Sequence, residues 1–182
     1  MSGPILNTLG KCRIAGLLIA VVVWLADRAI KMYVVNDLKL YQVPAIEITP
    51  FFALRYAQNY GVSFSLLTAN SIEMRMLLLL LTASIAAGVL FWLLHEKAMA
   101  EIGALGMVLG GAIGNITDRF YNGFVTDYAD LHFGEFRPFQ IFNLADAAIT
   151  IGVVIILARS FLSREKRPDT AGQQPSQAPS EN

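Results

Sequence analysis

Residues 74–94 read MRMLLLLLTASIAAGVLFWLL, an apolar run in which Arg75 is the only charged residue. As a helix rising ~1.5 Å per residue, this run is long enough to cross the ~30 Å hydrocarbon core of a bilayer. The composition agrees, because 55% of the residues are hydrophobic and only 15% are charged, whereas soluble domains carry about 25% charged residues. The sequence therefore predicts an integral membrane protein, with a single membrane domain over residues 1–162.

Three further apolar runs accompany this one, at residues 14–26, 98–117 and 144–162. A cleaved signal peptide is an alternative for the first run, because Lys11 and Arg13 precede its apolar core. No small-residue cleavage site follows that core, so we expect a retained helix. The sequence thus predicts four transmembrane helices.

Basic residues gather on one side of the four predicted helices. They lie before the first helix, between the second and third, and after the fourth, at Lys11, Arg13, Lys97, Arg159, Arg164, Lys166 and Arg167. Because basic flanks mark the cytoplasmic side, both termini are predicted to be cytoplasmic. The longer connections 36–73 and 118–143 then lie on the opposite face. The tail 163–182 is rich in Pro, Gln and Ser and is predicted to be disordered.

The first outer connection has the composition of β-strands. Residues 41–56 read YQVPAIEITPFFALRY, in which β-branched and aromatic residues stand between and after prolines. This pattern predicts short strands that lie over the membrane surface. The predicted fold is therefore all-α within the membrane, with a small β-rich part outside it.

Two aspartates stand in apolar segments near this outer face, Asp127 in FVTDY and Asp146 in FNLADAA. A carboxylate close to lipid is costly, so it requires a partner, a watery cavity or a chemical task. If the two meet, one carboxyl keeps its proton while the other acts as a base, and the pair can activate water against an amide. Capping of the fourth helix is a simpler explanation for Asp146. That explanation leaves Asp127 and the neighbouring Asn143 unaccounted for.

Other polar residues have structural explanations that stay open. Asp27 and Lys31 are four residues apart on one helix and could form an ion pair. Asp118 and Arg119 could be an ordinary pair at the membrane interface. Asn59 begins a polar stretch, residues 59–65, that is typical of a surface loop.

The third helix carries glycines at every fourth residue. They are Gly106, Gly110 and Gly114. Small residues at this spacing form a groove on one helix face, where another helix can approach closely. We therefore expect the third helix to pack tightly against a neighbour.

The sequence lacks the residue patterns that disulfides, metal-dependent hydrolysis and serine hydrolysis require. Cys12 is the only cysteine, His95 and His132 are isolated, and neither an HExxH nor a GxSxG motif is present. No metal or other cofactor is expected, and the formal net charge of zero gives no sign of nucleic-acid binding. Two alternatives to an enzyme are a transporter or channel whose acids relay protons or cations, and a non-catalytic assembly subunit.

Five polar blocks occur in one order along the chain: DRAIK (27–31), NYGVSFS (59–65), GGAIGNITDR (110–119), VTDY (125–128) and FNLAD (142–146). Together they resemble the bacterial lipoprotein signal peptidases, also called signal peptidase II, over residues 14–162. The resemblance implies an aspartic endopeptidase with four membrane spans and a small periplasmic β-rich cradle. It also implies the bacterial inner membrane, with both termini cytoplasmic and the active site at the periplasmic face.

The resemblance also assigns roles to individual residues. It implies that Asp127 and Asp146 are the catalytic dyad. The residues that match the substrate pocket are Asn59, Asn115, Arg119 and Asn143. Polar residues that support the architecture are Asp27, Lys31 and Asp118. The implied substrate is a diacylglyceryl-modified prolipoprotein, cut on the amino side of its lipid-bearing cysteine, and the other implied partners are membrane lipids and globomycin-type cyclic peptide inhibitors.

Overall fold

Four long helices make up most of the computed structural model, which describes residues 4–61 and 72–164. They are α1 (Pro4–Met32), α2 (Ile72–His95), α3 (Met99–Asn122) and α4 (Leu144–Arg164). The helices α1, α2 and α4 each contain one predicted apolar run, and α3 begins one residue after the start of the run at 98–117. Most of the tail that is predicted to be disordered, from residue 165 onward, lies outside the described residues. Residues 62–65 of the predicted polar loop also lie outside them.

Three of the described helices, α2, α3 and α4, are long and apolar enough to cross a membrane. The helix α1 is longer than any of them, but charged residues, including Arg13 and Asp27, closely bound its apolar run. Its membrane crossing, and with it the count of four spans, stays a prediction.

A small antiparallel sheet lies at one end of the helical bundle, where α1 and α3 end and α4 begins. Its strands are β1 (Ile46–Thr49), β2 (Phe52–Asn59) and β3 (Val125–Leu131), in the order β1-β2-β3. The strands predicted within residues 41–56 are confirmed by β1 and the first part of β2. The third strand, which connects α3 to α4, was not predicted, because six of its seven residues are buried and it lacks the alternation of a half-buried strand.

A small hydrophobic core joins the sheet to the end of α1. After α1 the chain makes a π-helical turn (Tyr33–Asp37), which places Val34 against the strand β3. Buried Val34 and Leu40 pack with Tyr128 and Ala129 of β3 in this core. The packing fixes β3, and therefore Asp127, relative to α1.

The helix α3 lies at the centre of the bundle and approaches its neighbours closely through glycines, as predicted. A Cβ atom at Gly106 or Gly110 would collide with the α1 backbone, at the carbonyl oxygens of Gly16 and Ala20. On another face of α3, a Cβ atom at Gly111 would collide with the carbonyl oxygen of α4 residue 145. The absence of side chains at these positions allows α3 to touch both α1 and α4.

We expect Gly110→Ala to destabilise the protein, because its new methyl group would push α1 away from α3. Overpacking of this kind costs about 1–3 kcal/mol, more than the ~1 kcal/mol that alanine contributes to a helix over glycine. Thermal unfolding in detergent measures the difference. The matched control is Gly88→Ala on α2, where an added Cβ meets nothing within 4 Å. Equal melting temperatures for the two variants would contradict the close packing.

Candidate active site

Asp127 lies in the middle of β3, opposite Ala57 of β2. Only 2% of its surface is exposed. The Asn143 side chain donates a hydrogen bond of 2.6 Å from Nδ2 to its Oδ1. Asn59 also hydrogen-bonds to the Asp127 side chain. The Oδ1 atom of Asn59 accepts the Gly61 N–H at 2.8 Å, so its amide nitrogen is left to face the carboxyl group.

Asp146 lies in the first turn of α4, where Asn143 caps the helix. The backbone N–H of Asp146 donates to Oδ1 of Asn143 at 2.9 Å, and the backbone N–H of Asn143 donates to Oδ2 of Asp146 at 3.3 Å. This reciprocal arrangement is a capping box, which satisfies N–H groups that the helix itself leaves unpaired. Asp146 therefore does help to cap α4, which was the simpler reason considered for an acid at this position.

The two aspartates belong to one hydrogen-bonded cluster, because Asn143 and Asn115 join them. Asn143 contacts Asp127 through its side-chain amide and Asp146 through the cap. Asn115 donates from Nδ2 to Oδ1 of Asp146 at 2.8 Å and accepts a hydrogen bond of 3.3 Å from Nδ2 of Asn143. The structure thus brings together residues that lie on α3, β3 and α4.

The electrostatics of the pair are asymmetric. Burial raises the pKa of Asp127 from an ordinary value near 3.8 to about 6, and the nearby charge of Asp146 also raises it. Hydrogen bonds from Asn59 and Asn143 and the positive charge of Lys31 lower the pKa of Asp127, without cancelling the increase. Asp146 is less buried, accepts two N–H groups and stands at the positive end of a helix dipole. The two carboxyl groups therefore stand in different surroundings.

A buried ion cluster lies behind these residues and confirms the predicted pairing of Asp27 with Lys31. The Nζ atom of Lys31 is 2.8 Å from Oδ2 of Asp27 and 2.9 Å from Oδ2 of Asp118. It also donates to Oδ1 of Asn115 at 3.4 Å. Because Lys31 and Asn143 both face that oxygen, the amide nitrogen of Asn115 must point to Asp146.

The same cluster anchors the backbone on both sides of the aspartate pair. Oδ1 of Asp27 accepts the N–H of Ala145 in the first turn of α4, at 3.0 Å. Oδ2 of Asp118 accepts the N–H of Thr126 in β3, also at 3.0 Å. Each bond holds the backbone one residue before a catalytic candidate.

Arg119 does not pair directly with Asp118, contrary to the interfacial pair considered from the sequence. Asp118 instead contacts Lys31 and Arg28, with Arg28 Nη1 at 3.2 Å from its Oδ1. Arg119 is half-buried and interacts electrostatically with Asp146 and with other nearby acids. Its Nε atom is buried and has no hydrogen-bond partner among the described residues.

Each aspartate lines one of two neighbouring clefts. The polar cleft, of about 620 Å³, lies between the end of β2 and residues 137–141, and Asp127 lines it. The apolar cleft, of about 330 Å³, follows one face of α4 from Asp146 to Ile151. Phe139 and Gln140 line both clefts. A chain that passes beside the two carboxyl groups would therefore meet a mixture of polar and apolar side chains on one side and mostly apolar side chains on the other.

Two features of the site were missed from the sequence. Asp130 is fully buried, three residues after Asp127, and contacts Nε of Arg55 at 3.1 Å and Nε of Arg137 at 3.3 Å. The hydroxyl of Tyr128 accepts the N–H of Leu144 at 3.2 Å, at the start of α4. An acid in an apolar segment was the available signal for Asp130, because such an acid requires partners.

Comparisons with known proteins agree with this geometry. A family model described as signal peptidase (SPase) II matches residues 19–162. Lipoprotein signal peptidases from Rhizorhabdus wittichii and Sphingopyxis alaskensis are 49% and 46% identical over 149 and 151 residues, which cover 82% and 83% of this chain and 87% of each relative. A solved bacterial membrane enzyme has the same fold, with a TM-score of 0.71 and 24% identity over 86% of this chain and 93% of the other.

The family match covers α3, β3, nearly all of α4 and about half of α1, including the parts that carry the aspartates and the residues around them. It favours an enzyme over a transporter, a channel or an assembly subunit. The protein is a membrane-embedded aspartic-type protease, and its family removes signal peptides from lipoproteins. On these matches, the chain belongs to the signal peptidase II family.

Proposed function

We propose that this enzyme cleaves diacylglyceryl-modified prolipoproteins on the amino side of the lipid-bearing cysteine, with Asp127 and Asp146 as its catalytic dyad. The observation that carries the proposal is the placement of Asn143. Its side-chain amide donates to Asp127 at 2.6 Å, while its backbone and side chain bind Asp146 in the helix cap. A single residue thus holds both carboxyl groups beside clefts that a substrate could enter.

In the proposed reaction, Asp146 takes a proton from water while Asp127 donates its proton to the carbonyl oxygen of the scissile amide. The new C–O bond gives a tetrahedral intermediate. Transfer of a proton to the nitrogen then breaks the C–N bond and releases the lipid-bearing cysteine with a free amine. The raised pKa of Asp127 and the hydrogen bonds to Asp146 support this division of roles. An apolar substrate would exclude water and further favour the neutral form of Asp127.

Arg119 and the apolar cleft are suited to the substrate in different ways. Arg119 is half-buried and interacts with Asp146, so we propose that its guanidinium group contacts the substrate backbone beside the dyad. The apolar cleft follows α4 from its first turn to Ile151, and its shape and lining suit an acyl chain. Globomycin-type cyclic peptides would inhibit by occupying this same region.

The proposed topology puts both termini in the cytoplasm and the sheet at the periplasmic face of the bacterial inner membrane. The basic flanks of the helices support this orientation. The scissile bond of a lipid-anchored substrate lies near a membrane surface, and the aspartates lie at the end of the bundle beside the sheet. A reporter enzyme that works only in the periplasm should be active when it is inserted between α3 and α4. Activity there of a reporter that works only in the cytoplasm would contradict the orientation.

Cleavage by the purified protein in detergent tests the proposed substrate. We expect a lipidated prolipoprotein to be cut immediately before its modified cysteine, as located by mass spectrometry. The same prolipoprotein without the diacylglyceryl group should be cut at least about 100-fold more slowly, because it lacks the apolar contacts that position the amide. A second control has serine in place of the cysteine. Equal cleavage of all three substrates would contradict recognition of the lipid.

A further inference from the structure

A substrate that occupied both clefts would place an apolar part in one and a more polar part in the other. The apolar cleft extends along α4 to its second helical turn, on the side of the helix where Thr150 and Ile151 are exposed. The polar cleft is formed instead by the end of β2 and residues 137–141, all of which lie outside the four helices. The polar cleft beside Asp127 is therefore a route for the polypeptide that follows the cleavage site.

A positive charge is left over beside this cleft. The buried carboxylate of Asp130 is shared by Arg55 from β2 and Arg137 from the cleft wall. Two guanidinium groups against one carboxylate leave an excess of one positive charge. Both arginines contact Asp130 through Nε, and 41% of the Arg137 side chain is exposed. Its terminal amino groups donate no hydrogen bond to residues 4–61 or 72–164.

We propose that the polar cleft binds the first residues of the mature lipoprotein, immediately after the modified cysteine, and that Arg137 makes it prefer acidic side chains there. This inference rests on the proposed function. An extended chain advances about 3.3–3.6 Å per residue, so the second and third residues after the scissile bond would pass from Asp127 toward the wall that carries Arg137. A carboxylate at these positions would meet the excess positive charge, and an ammonium group would be repelled by it.

Three lipidated substrates test the preference. They are identical except for the two residues after the modified cysteine, which are Asp-Asp, Ser-Ser or Lys-Lys. For the wild-type enzyme we expect kcat/KM to be about five-fold higher for the acidic substrate than for the basic one, mainly through KM. High salt should reduce this ratio, because the contacts are exposed to solvent.

Variants at the arginines separate charge from structure. Arg137→Glu should reverse the ratio, and Arg137→Lys should preserve it because the positive charge is kept. Arg55→Gln removes the excess charge without altering the cleft wall and should bring the ratio close to one. The neutral substrate measures how much activity each folded variant retains.

The outcomes distinguish this inference from the proposed function. Equal cleavage of all three substrates by the wild-type enzyme would overturn the charge preference and leave the proposed function standing. The same would follow if Arg137→Glu and Arg55→Gln both kept the wild-type ratio. A wild-type enzyme that cleaves none of the lipidated substrates would overturn the proposed function together with this inference.

Discussion

Replacing either Asp127 or Asp146 by asparagine should lower kcat for cleavage of a lipidated prolipoprotein by about 10²–10⁴-fold. Asparagine preserves the size of the side chain but cannot exchange a proton with water or with the amide, so general acid–base catalysis is lost. KM should change little, because the clefts remain. The double variant should be little worse than either single variant, since the two groups act as a unit.

The matched control for this experiment is Asp37→Asn. Asp37 is exposed at the end of the π-helical turn that follows α1, and no contact of its side chain is recorded within the described residues. The same chemical change there should leave kcat within experimental error. If Asp127→Asn or Asp146→Asn retained more than about a third of the wild-type kcat, the corresponding carboxyl group would not be part of a dyad. Melting temperatures of all the variants would separate catalytic loss from unfolding.

Lys31→Met should be the most destabilising single change in the helical bundle. Lys31 is 3% exposed and contacts the buried carboxylates of Asp27 and Asp118 within 3 Å. Methionine fills a similar volume but leaves two buried acids without this cation. Removing one partner of a buried ion pair costs about 3–5 kcal/mol. In a protein of this size, that loss should lower the melting temperature by roughly 10 °C.

Arg28→Met provides the comparison for Lys31. Arg28 contacts the same Asp118 carboxylate at 3.2 Å, but 35% of its side chain is exposed. Solvent screens this pair, so its loss should cost no more than about 1 kcal/mol. Adding Asp27→Asn to Lys31→Met should restore part of the lost stability, because Asp118 keeps Arg28 as a partner whereas Asp27 has no other cation among the described residues. Equal losses for Lys31→Met and Arg28→Met would show that burial does not determine the energy of the cluster.

The helix positions and the choice of Asp127 and Asp146 as candidate functional residues could be predicted from the sequence. Both predictions depend on the local cost of placing residues in lipid. The run 74–94 needs no tertiary information to be identified as a helix. Asp127 and Asp146 stand out because a carboxylate in an apolar segment requires an explanation. The glycines of α3 likewise predicted a close helix contact, and the structure identifies α1 and α4 as the helices they contact.

The parts that were missed depend on contacts between distant residues. β3 is buried on both faces, so its sequence lacks the two-residue alternation of most strands. Asp118 and Arg119 are neighbours in sequence but point in different directions from a helix, and Asp118 is paired with residues of α1. The Asp130 contacts join β2, β3 and residues before α4, which no local pattern could reveal.

The hydrogen bond between Ala145 and Asp27 joins residues 118 positions apart, and this separation has a consequence for the order of biosynthesis. Ribosomes complete α1 long before α4. Until the last helix enters the membrane, Asp146 is missing. Asp27 also lacks the Ala145 N–H group from which it accepts a hydrogen bond. An unfinished chain therefore has no aspartate pair, and with the proposed dyad we expect proteolytic activity only after α4 is in place. The proposed catalytic role of Asp146, on the last of the four described helices, would thus keep the nascent enzyme inactive.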